Sequence, residues 1–337
     1  LQIHNSIEAF VASRTRLKPT SGYVLTIGNF DGCHLGHQAL IWSARDLAGD
    51  ADVCALTFEP RPAVFFRKQK GLPPDEHAPV TESLFDARQK TNAMAELGVN
   101  HLIFQNFDLP FSQLPPIDFF RVVTSGGCTG IVVGDDFHFG AGRSGDTAFL
   151  ASECEKAFIE FRKVSGVTVN GVRASSSTIR RELLKSGNVE LASTLLGREY
   201  ALDGEIERGA QNGRRIGIHT ANLKALDQII PRNGVYAGYF LLIDESDGAP
   251  LIARDLSAMP CVINIGHRPT IDFSSNPRLT VEAHIFDREF GPEDFYGKRA
   301  RIYFSARLRD ETKFTSIEQL KSRIHEDIEL ARQLTRK

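Results

Sequence analysis

Residues 28–37, GNFDGCHLGH, lie between a short apolar run at 24–27 and a segment at 35–48 that repeats apolar residues three or four apart. Strand, glycine-rich turn, helix is the order in which α/β proteins offer backbone N–H groups and a helix N-terminus to a phosphate. The glycines let backbone approach such a group, and the helix end favours its charge. His34 and His37, three residues apart, can project the same way and set two imidazole donors against one phosphate. A capped helix start would produce the same HxGH spelling, so the flanking sequence has to decide.

Working outward, further apolar runs fall at 53–58, 101–104, 131–133 and 167–169, with helix-period stretches at 84–97 and 149–161 between them. Buried parallel strands joined by crossover helices read this way, which predicts an α/β domain with a doubly wound parallel sheet. Helical stretches at 178–184 and 189–196 end at Gly197, a natural C-cap, so the first domain is expected to span 1–197 and the second 198–337. A chain of 337 residues is long enough for two cores. From Tyr200 the rhythm changes to short strand-like pieces at 204–207, 235–243, 261–265, 279–286 and 300–304, punctuated by Gly, Asn, Asp and Pro. These predict a compact antiparallel β-barrel. A capping-box pattern from Thr315 to Glu318, followed by Ile317, Leu320, Ile324 and Ile328 on one face, predicts a closing C-terminal helix.

Composition narrows the partners. The formal net charge is -2 and no run of like charge suggests a nucleic-acid or membrane tail. No apolar stretch approaches the roughly 18 residues of a membrane span, and no signal-peptide pattern opens the chain. Five cysteines, Cys33, Cys54, Cys128, Cys154 and Cys261, form no CxxC pair, which fits a reducing cytoplasm. The sequence leaves oligomeric state open. Gly140, Gly142 and Gly145 spell the dinucleotide fingerprint, but polar and aromatic residues intervene after the preceding strand, so a nucleotide-side loop or a structural turn is expected instead. Gly291 with Gly297 and Lys298 misses the P-loop spacing by one residue, and Arg299 stands where Ser or Thr is required.

Residues 28–38, GNFDGCHLGHQ, resemble the GNFDGVHLGHQ segment of the bacterial bifunctional FAD synthetases, riboflavin kinase/FMN adenylyltransferases of the HxGH nucleotidyltransferase superfamily. Cys33 takes the place of valine. Residues 57–62, TFEPRP, are similar to that family's TFEPHP; 133–145, VGDDFHFGAGRSG, to its VGDDFRFGRGRxG; and 173–180, RASSSTIR, to its (I/V)SSSxIR. The resemblance implies adenylylation of FMN to FAD with release of pyrophosphate. His34 and His37 would then be catalytic, and Gly28, Asn29, Phe30, Gly36, Asp136, Arg173, Ser176, Ser177 and Arg180 would bind ATP. Independent readings stay open for some of these: Ser176 or Ser177 as a helix N-cap, Asp136 in an Asx turn, the two arginines as surface charges.

The second half carries a matching set. Residues 204–223, GEIERGAQNGRRIGIHTANL, resemble the riboflavin kinase segment GxVxxGxxxGRxLGxPTANL, with His219 in place of proline. Residues 264–270, NIGHRPT, and 281–287, VEAHIFD, resemble two further kinase segments. By that resemblance Thr220 and Asn222 would hold Mg2+ and ATP phosphate oxygens, Gly217 and Arg268 would contact ATP or flavin, and Glu282 would be the base that phosphorylates riboflavin to FMN. A barrel-facing carboxylate beside a ribityl chain could take the hydroxyl proton while magnesium neutralises the γ-phosphate. Taken alone, Glu282 also reads as a solvated strand carboxylate. Phe65, Phe66, Phe119, Phe120 and Phe149 read as core before flavin platform. Two other functions fit parts of the pattern: a monofunctional adenylyltransferase whose barrel only binds flavin or a partner, and a tRNA-charging fragment, which would need a KMSKS-like element and a basic anticodon-binding region that the sequence lacks.

Overall fold

The computed structural model describes residues 1–17, 21–72, 83–207, 220–225, 228–243, 251–252, 254–255, 257–267, 279–286, 296–312 and 314–335. Packing divides the chain into two compact units, Leu1–Thr81 with Ala87–Ser175, and Glu82–Asp86 with Ser176–Lys337.

The first unit runs β1 (Gln2–His4), α1 (Ile7–Leu17), β2 (Tyr23–Ile27), α2 (Leu35–Ala48), β3 (Asp52–Glu59), α3 (Pro62–Gln69), α4 (Ala87–Glu96), β4 (His101–Asn106), α5 (Leu109–Ser112), α6 (Pro116–Thr124), β5 (Cys128–Gly134), α7 (Thr147–Lys156) and β6 (Glu160–Val164). A short hairpin, β7 (Thr168–Val169) and β8 (Val172–Arg173), follows. The six long strands form one parallel sheet in the order β1-β4-β3-β2-β5-β6. All five residues of β2 are buried, as a central strand covered on both faces requires. From β2 the chain steps outward to β3 and β4, then returns to place β5 on the other flank of β2. The loops leaving β2 and β5 therefore diverge at a topological switch point, where open α/β sheets bind their ligands.

Two expectations need correction. The strand read at 167–169 is only one arm of the β7–β8 hairpin, and the sixth sheet strand is Glu160–Val164. That strand carries three charged residues, Glu160, Arg162 and Lys163, among its five because it is a sheet edge, where charge blunts further pairing. Helix α7 correspondingly stops at Lys156, short of residue 161, at a turn where Phe158 takes a positive φ of 57°. By contrast, α2 begins at Leu35 and ends at Ala48 as its periodicity predicts, with Gly49 at φ 55° beyond it.

The second unit opens with α8 (Ser176–Arg181) and α9 (Val189–Leu196), then β9 (Tyr200–Glu207), β10 (Thr220–Ala225), β11 (Gly234–Ile243), β12 (Met259–His267), β13 (Leu279–Ile285), β14 (Arg299–Arg309) and α10 (Ile317–Thr335). The strands close into an antiparallel barrel in the order β10-β13-β12-β11-β14-β9. Five of these six coincide with the expected strand-like pieces; the sixth, β10, lies at the end of the 204–223 segment and pairs with β9 and β13. In the wall, across the β9–β14 ladder, Arg301 and Asp203 form a bidentate pair at 2.7 and 2.8 Å, both almost fully buried. Outside it, Val235, Ala237, Val262 and Phe286 pack with Ala331 and Ile328 of α10. The α10 cap falls one residue later than expected: Ser316 Oγ accepts from the N–H of Gln319, and the Gln319 side chain accepts from the N–H of Thr315.

Candidate active site

The loop after β2 is held in a costly conformation. Phe30 and Cys33 adopt φ of 46° and 42°, a region that non-glycine residues rarely enter. Several contacts hold it there. Gln38 Nε2 donates to the Cys33 carbonyl at 2.9 Å, Thr57 Oγ1 donates to the Asn29 carbonyl at 3.0 Å, and Arg61 pairs with Asp31 at 3.0 Å with both side chains buried. The segment TFEPRP thus braces GNFDG from the neighbouring strand β3. Phe30 is fully buried beneath the loop and meets His37 edge-on at 5.3 Å, so its side chain supports the site from below.

His34 is the N-cap of α2: its Nδ1 accepts from the His37 N–H at 3.4 Å, and the two imidazoles stack with centroids 3.7 Å apart. Both rings face one cavity of about 740 Å³ that lies outside the switch point. A Cβ on Gly36 would stand 3.1 Å from the His34 ring and 3.4 Å from the Ala174 carbonyl, so the bare glycine lets the RASS segment approach the imidazole.

Gly28, Asn29, His34, Gly36, His37, Asp136 and Arg173 all line this cavity. Seven of the expected adenylyltransferase residues therefore converge from β2, α2, β5 and β8. Arg173 forms ion pairs with Asp135 at 3.2 Å and Asp136 at 3.1 Å, and its guanidinium lies against Gly166, where a Cβ would come within 2.7 Å. Ser176, Ser177 and Arg180 lie on α8, in the second unit, while the preceding Ser175 lines the cavity.

The cavity also has an aromatic lining, which includes Phe58, Phe66, Phe107, Phe111, Phe137 and Phe139. Phe137 and Phe139 stack at 5.4 Å, and Phe107 meets Phe58, Phe65 and Phe66 edge-to-face. Of the phenylalanines weighed from sequence, Phe66 and Phe119 line the cavity and Phe120 is core. Phe107, Phe137 and Phe139 went unrecognised, although two of them sit inside VGDDFHFG, a motif already singled out.

On the barrel, Asn222 lies directly opposite Glu282 across the β10–β13 ladder, and Asn264 lies directly opposite Glu282 on the other side, across β12–β13. Directly opposed residues share a sheet face, with Cβ atoms about 5 Å apart. Val281, Ala283 and Ile285, the alternate residues of β13, are the buried ones. The carboxylate is thus on the face turned away from the barrel interior, which corrects its expected barrel-facing placement. Thr220 is two residues from Asn222 and shares that face, opposite His284. Gly217, His219 and Arg268 lie outside the described residues.

A cavity at the switch point of a parallel sheet, lined by the paired histidines of the HxGH motif, is the arrangement of a nucleotidyltransferase unit, and a closed barrel with a polar row follows it in the chain. The family pattern for FAD synthetase matches residues 17–178, and that for riboflavin kinase matches 196–335. The bifunctional riboflavin kinase/FMN adenylyltransferase of Escherichia coli strain K12 is 34% identical over 319 residues, covering 94% of this chain and 93% of that protein. The enzyme of the same description from Pseudomonas fluorescens is 34% identical over 317 residues, with 93% of each covered. The chain belongs to the bifunctional riboflavin kinase/FMN adenylyltransferase family. A Streptococcus pneumoniae structure described as a macrolide-efflux protein superposes with a TM-score of 0.78 at 27% identity, over 93% of this chain and 95% of that one. Efflux is said of that protein alone; among the described residues no helix is long and apolar enough to cross a membrane. Neither a lone adenylyltransferase nor a tRNA-charging fragment is favoured by two family patterns that together run from residue 17 to 335.

Proposed function

We propose that this chain carries both activities of its family, phosphorylating riboflavin to FMN with ATP and then adenylylating FMN to FAD. The observation that carries the second activity is the convergence of His34, His37, Asn29 and Arg173 on one cavity that phenylalanines also line. An FMN phosphate oxygen attacks the α-phosphorus of ATP, a P–O bond forms there, and the bond to pyrophosphate breaks. No protein nucleophile takes part. Catalysis is alignment plus stabilisation of charge on the phosphoryl oxygens, the work suited to paired imidazoles at a helix N-terminus with an arginine nearby. The phenylalanine wall suits an isoalloxazine ring. Ser176, Ser177 and Arg180 are proposed as ATP ligands on motif resemblance alone.

For the kinase, Glu282 accepts the proton of the riboflavin hydroxyl as its oxygen attacks the γ-phosphorus and ADP leaves. Thr220 and Asn222 share one face of β10 and would offer oxygen donors, a hard-ligand set that would suit Mg2+. When bound, magnesium supplies charge neutralisation at the γ-phosphate. Gly217 and Arg268 are proposed to complete this site. By function we draw the boundary between the activities at 197/198. All five cysteines are buried thiols, which supports a reducing, cytoplasmic setting, and the near-balanced charge supports small-molecule substrates and no nucleic acid. Product analysis tests the whole reading. Riboflavin, ATP and magnesium should yield FMN and then FAD with pyrophosphate, and absence of FAD from FMN and ATP would overturn the adenylyltransferase assignment.

A further inference from the structure

Helix α4 turns one face inward, and that face carries Lys90 beside Gln89, Ala93 and Met94. A lysine on a core stripe is costly unless its ammonium is satisfied. Here Nζ donates to the Asn29 carbonyl at 3.1 Å and to Thr57 Oγ1 at 3.2 Å, and it lies 5.8 Å from the centroid of the Phe104 ring. Thr57 Oγ1 itself donates to the same Asn29 carbonyl at 3.0 Å. Two side chains from two different elements thus converge on one carbonyl, and that carbonyl belongs to the loop that enters the cavity. The residue after Asn29 is Phe30, whose φ of 46° the loop must sustain.

We infer that Lys90 is a positioning residue for adenylyl transfer, fixing the Asn29 carbonyl so that Gly28, Asn29 and the His34 cap keep the geometry that the phosphates require. It does not line the cavity and acts only through the loop. Burial pushes its amine below the usual lysine range, against the attraction of Asp31 and Glu59, which is what a tether sunk in the core experiences. A loop released from this point keeps its sequence and its cavity but loses alignment, and misplacement of about 1 Å costs on the order of a hundredfold in rate.

This inference rests on the adenylyltransferase reading above. The test uses the full chain, with kcat and KM for FAD formation from FMN and ATP, and FMN formation from riboflavin as an internal check of folding. Wild-type protein that makes no FAD would sink the parent reading. With wild type active, Lys90→Met should lower kcat for FAD about ten- to hundredfold, change KM for ATP far less, and leave FMN formation unchanged. Thr57→Val, which withdraws the other donor to Asn29, should also lower kcat. The double variant should lose no more than the worse single one, because both act on one carbonyl. A kcat within twofold of wild type in folded Lys90→Met, a loss confined to KM, or fully multiplicative losses in the double variant would each overturn the inference. If Lys90→Met does not fold, Thr57→Val decides alone: lowered kcat with an unchanged melting temperature supports it, and unchanged kcat refutes it.

Discussion

His34 caps α2 with its own ring, accepting the His37 N–H at Nδ1, and the two imidazoles stack 3.7 Å apart. Both thus present to the cavity as one rigid donor pair, fixed by the backbone of the first helical turn. His37→Ala removes one donor and leaves the His34 cap in place. FAD formation should fall by about two to three orders of magnitude, the usual loss for one transition-state donor, while FMN formation is spared. Unchanged FAD synthesis by the purified variant would remove His37 from the mechanism.

Gly36 separates stability from activity. A methyl group there meets the His34 ring at 3.1 Å, yet alanine in the first turn of a helix gains up to about 1 kcal/mol in propensity over glycine. Gly36→Ala should therefore melt no lower than wild type while making FAD about tenfold more slowly, because His34 must shift. A parallel loss of both would mean that the contact with Ala174 matters more than the imidazole.

Much of this site was legible because its residues are contiguous. GNFDGCHLGH spells strand, turn and helix within a few residues, so local chemistry alone fixed α2 and put His34 and His37 on it. The aromatic wall was not legible in the same way, because Phe58, Phe107, Phe111 and Phe139 come from four separate segments and meet only through the sheet order. Glu282 shows the same limit. Its motif was readable, but which face of β13 it occupies depends on Asn222 and Asn264, in strands far apart in sequence.

The Asp31–Arg61 pair joins two motifs through the core, at 3.0 Å and with both side chains buried. Removing one partner of such a pair generally costs more than the pair contributes, since the remaining charge loses its compensation. Arg61→Leu should destabilise the first unit by about 3 kcal/mol. Chemical denaturation followed by far-UV circular dichroism would check it, and a loss below about 1 kcal/mol would show that other groups around Asp31 already satisfy it.

Acid should loosen the β1 edge. His4 Nε2 lies 3.0 Å from His101 Nδ1, and His101 Nε2 lies 3.4 Å from Asp52, which also pairs with Arg14. Burial, and then the neighbouring His101, hold His4 below its usual 6.5; burial holds His101 below it too, against the pull of Asp52. Between the lowered folded values and the unfolded one, the unfolded chain binds more protons, so stability rises with pH there. The contribution is complete above about pH 6.5 and is lost as pH falls through the folded values. Melting temperatures from about pH 8 to pH 5 should drop less steeply in His4→Phe than in wild type. Equal slopes would assign the acid sensitivity elsewhere.

Glu282 offers the cleanest separation of the two activities. It stands between Asn222 and Asn264 in one row across three strands, on the face opposite the buried Val281, Ala283 and Ile285. The row continues to Glu207, directly opposite Asn222 on β9, and α10 covers the adjoining apolar surface at Val235 and Val262. Glu282→Gln is nearly isosteric and keeps an acceptor oxygen, so the barrel should fold and bind riboflavin, but it cannot take up the proton. Riboflavin phosphorylation should fall by about two to four orders of magnitude, and FAD formation from supplied FMN should stay at the wild-type rate. Wild-type kinase turnover in the variant would require another base. A matching loss of FAD formation would instead show that the substitution had disturbed the protein as a whole.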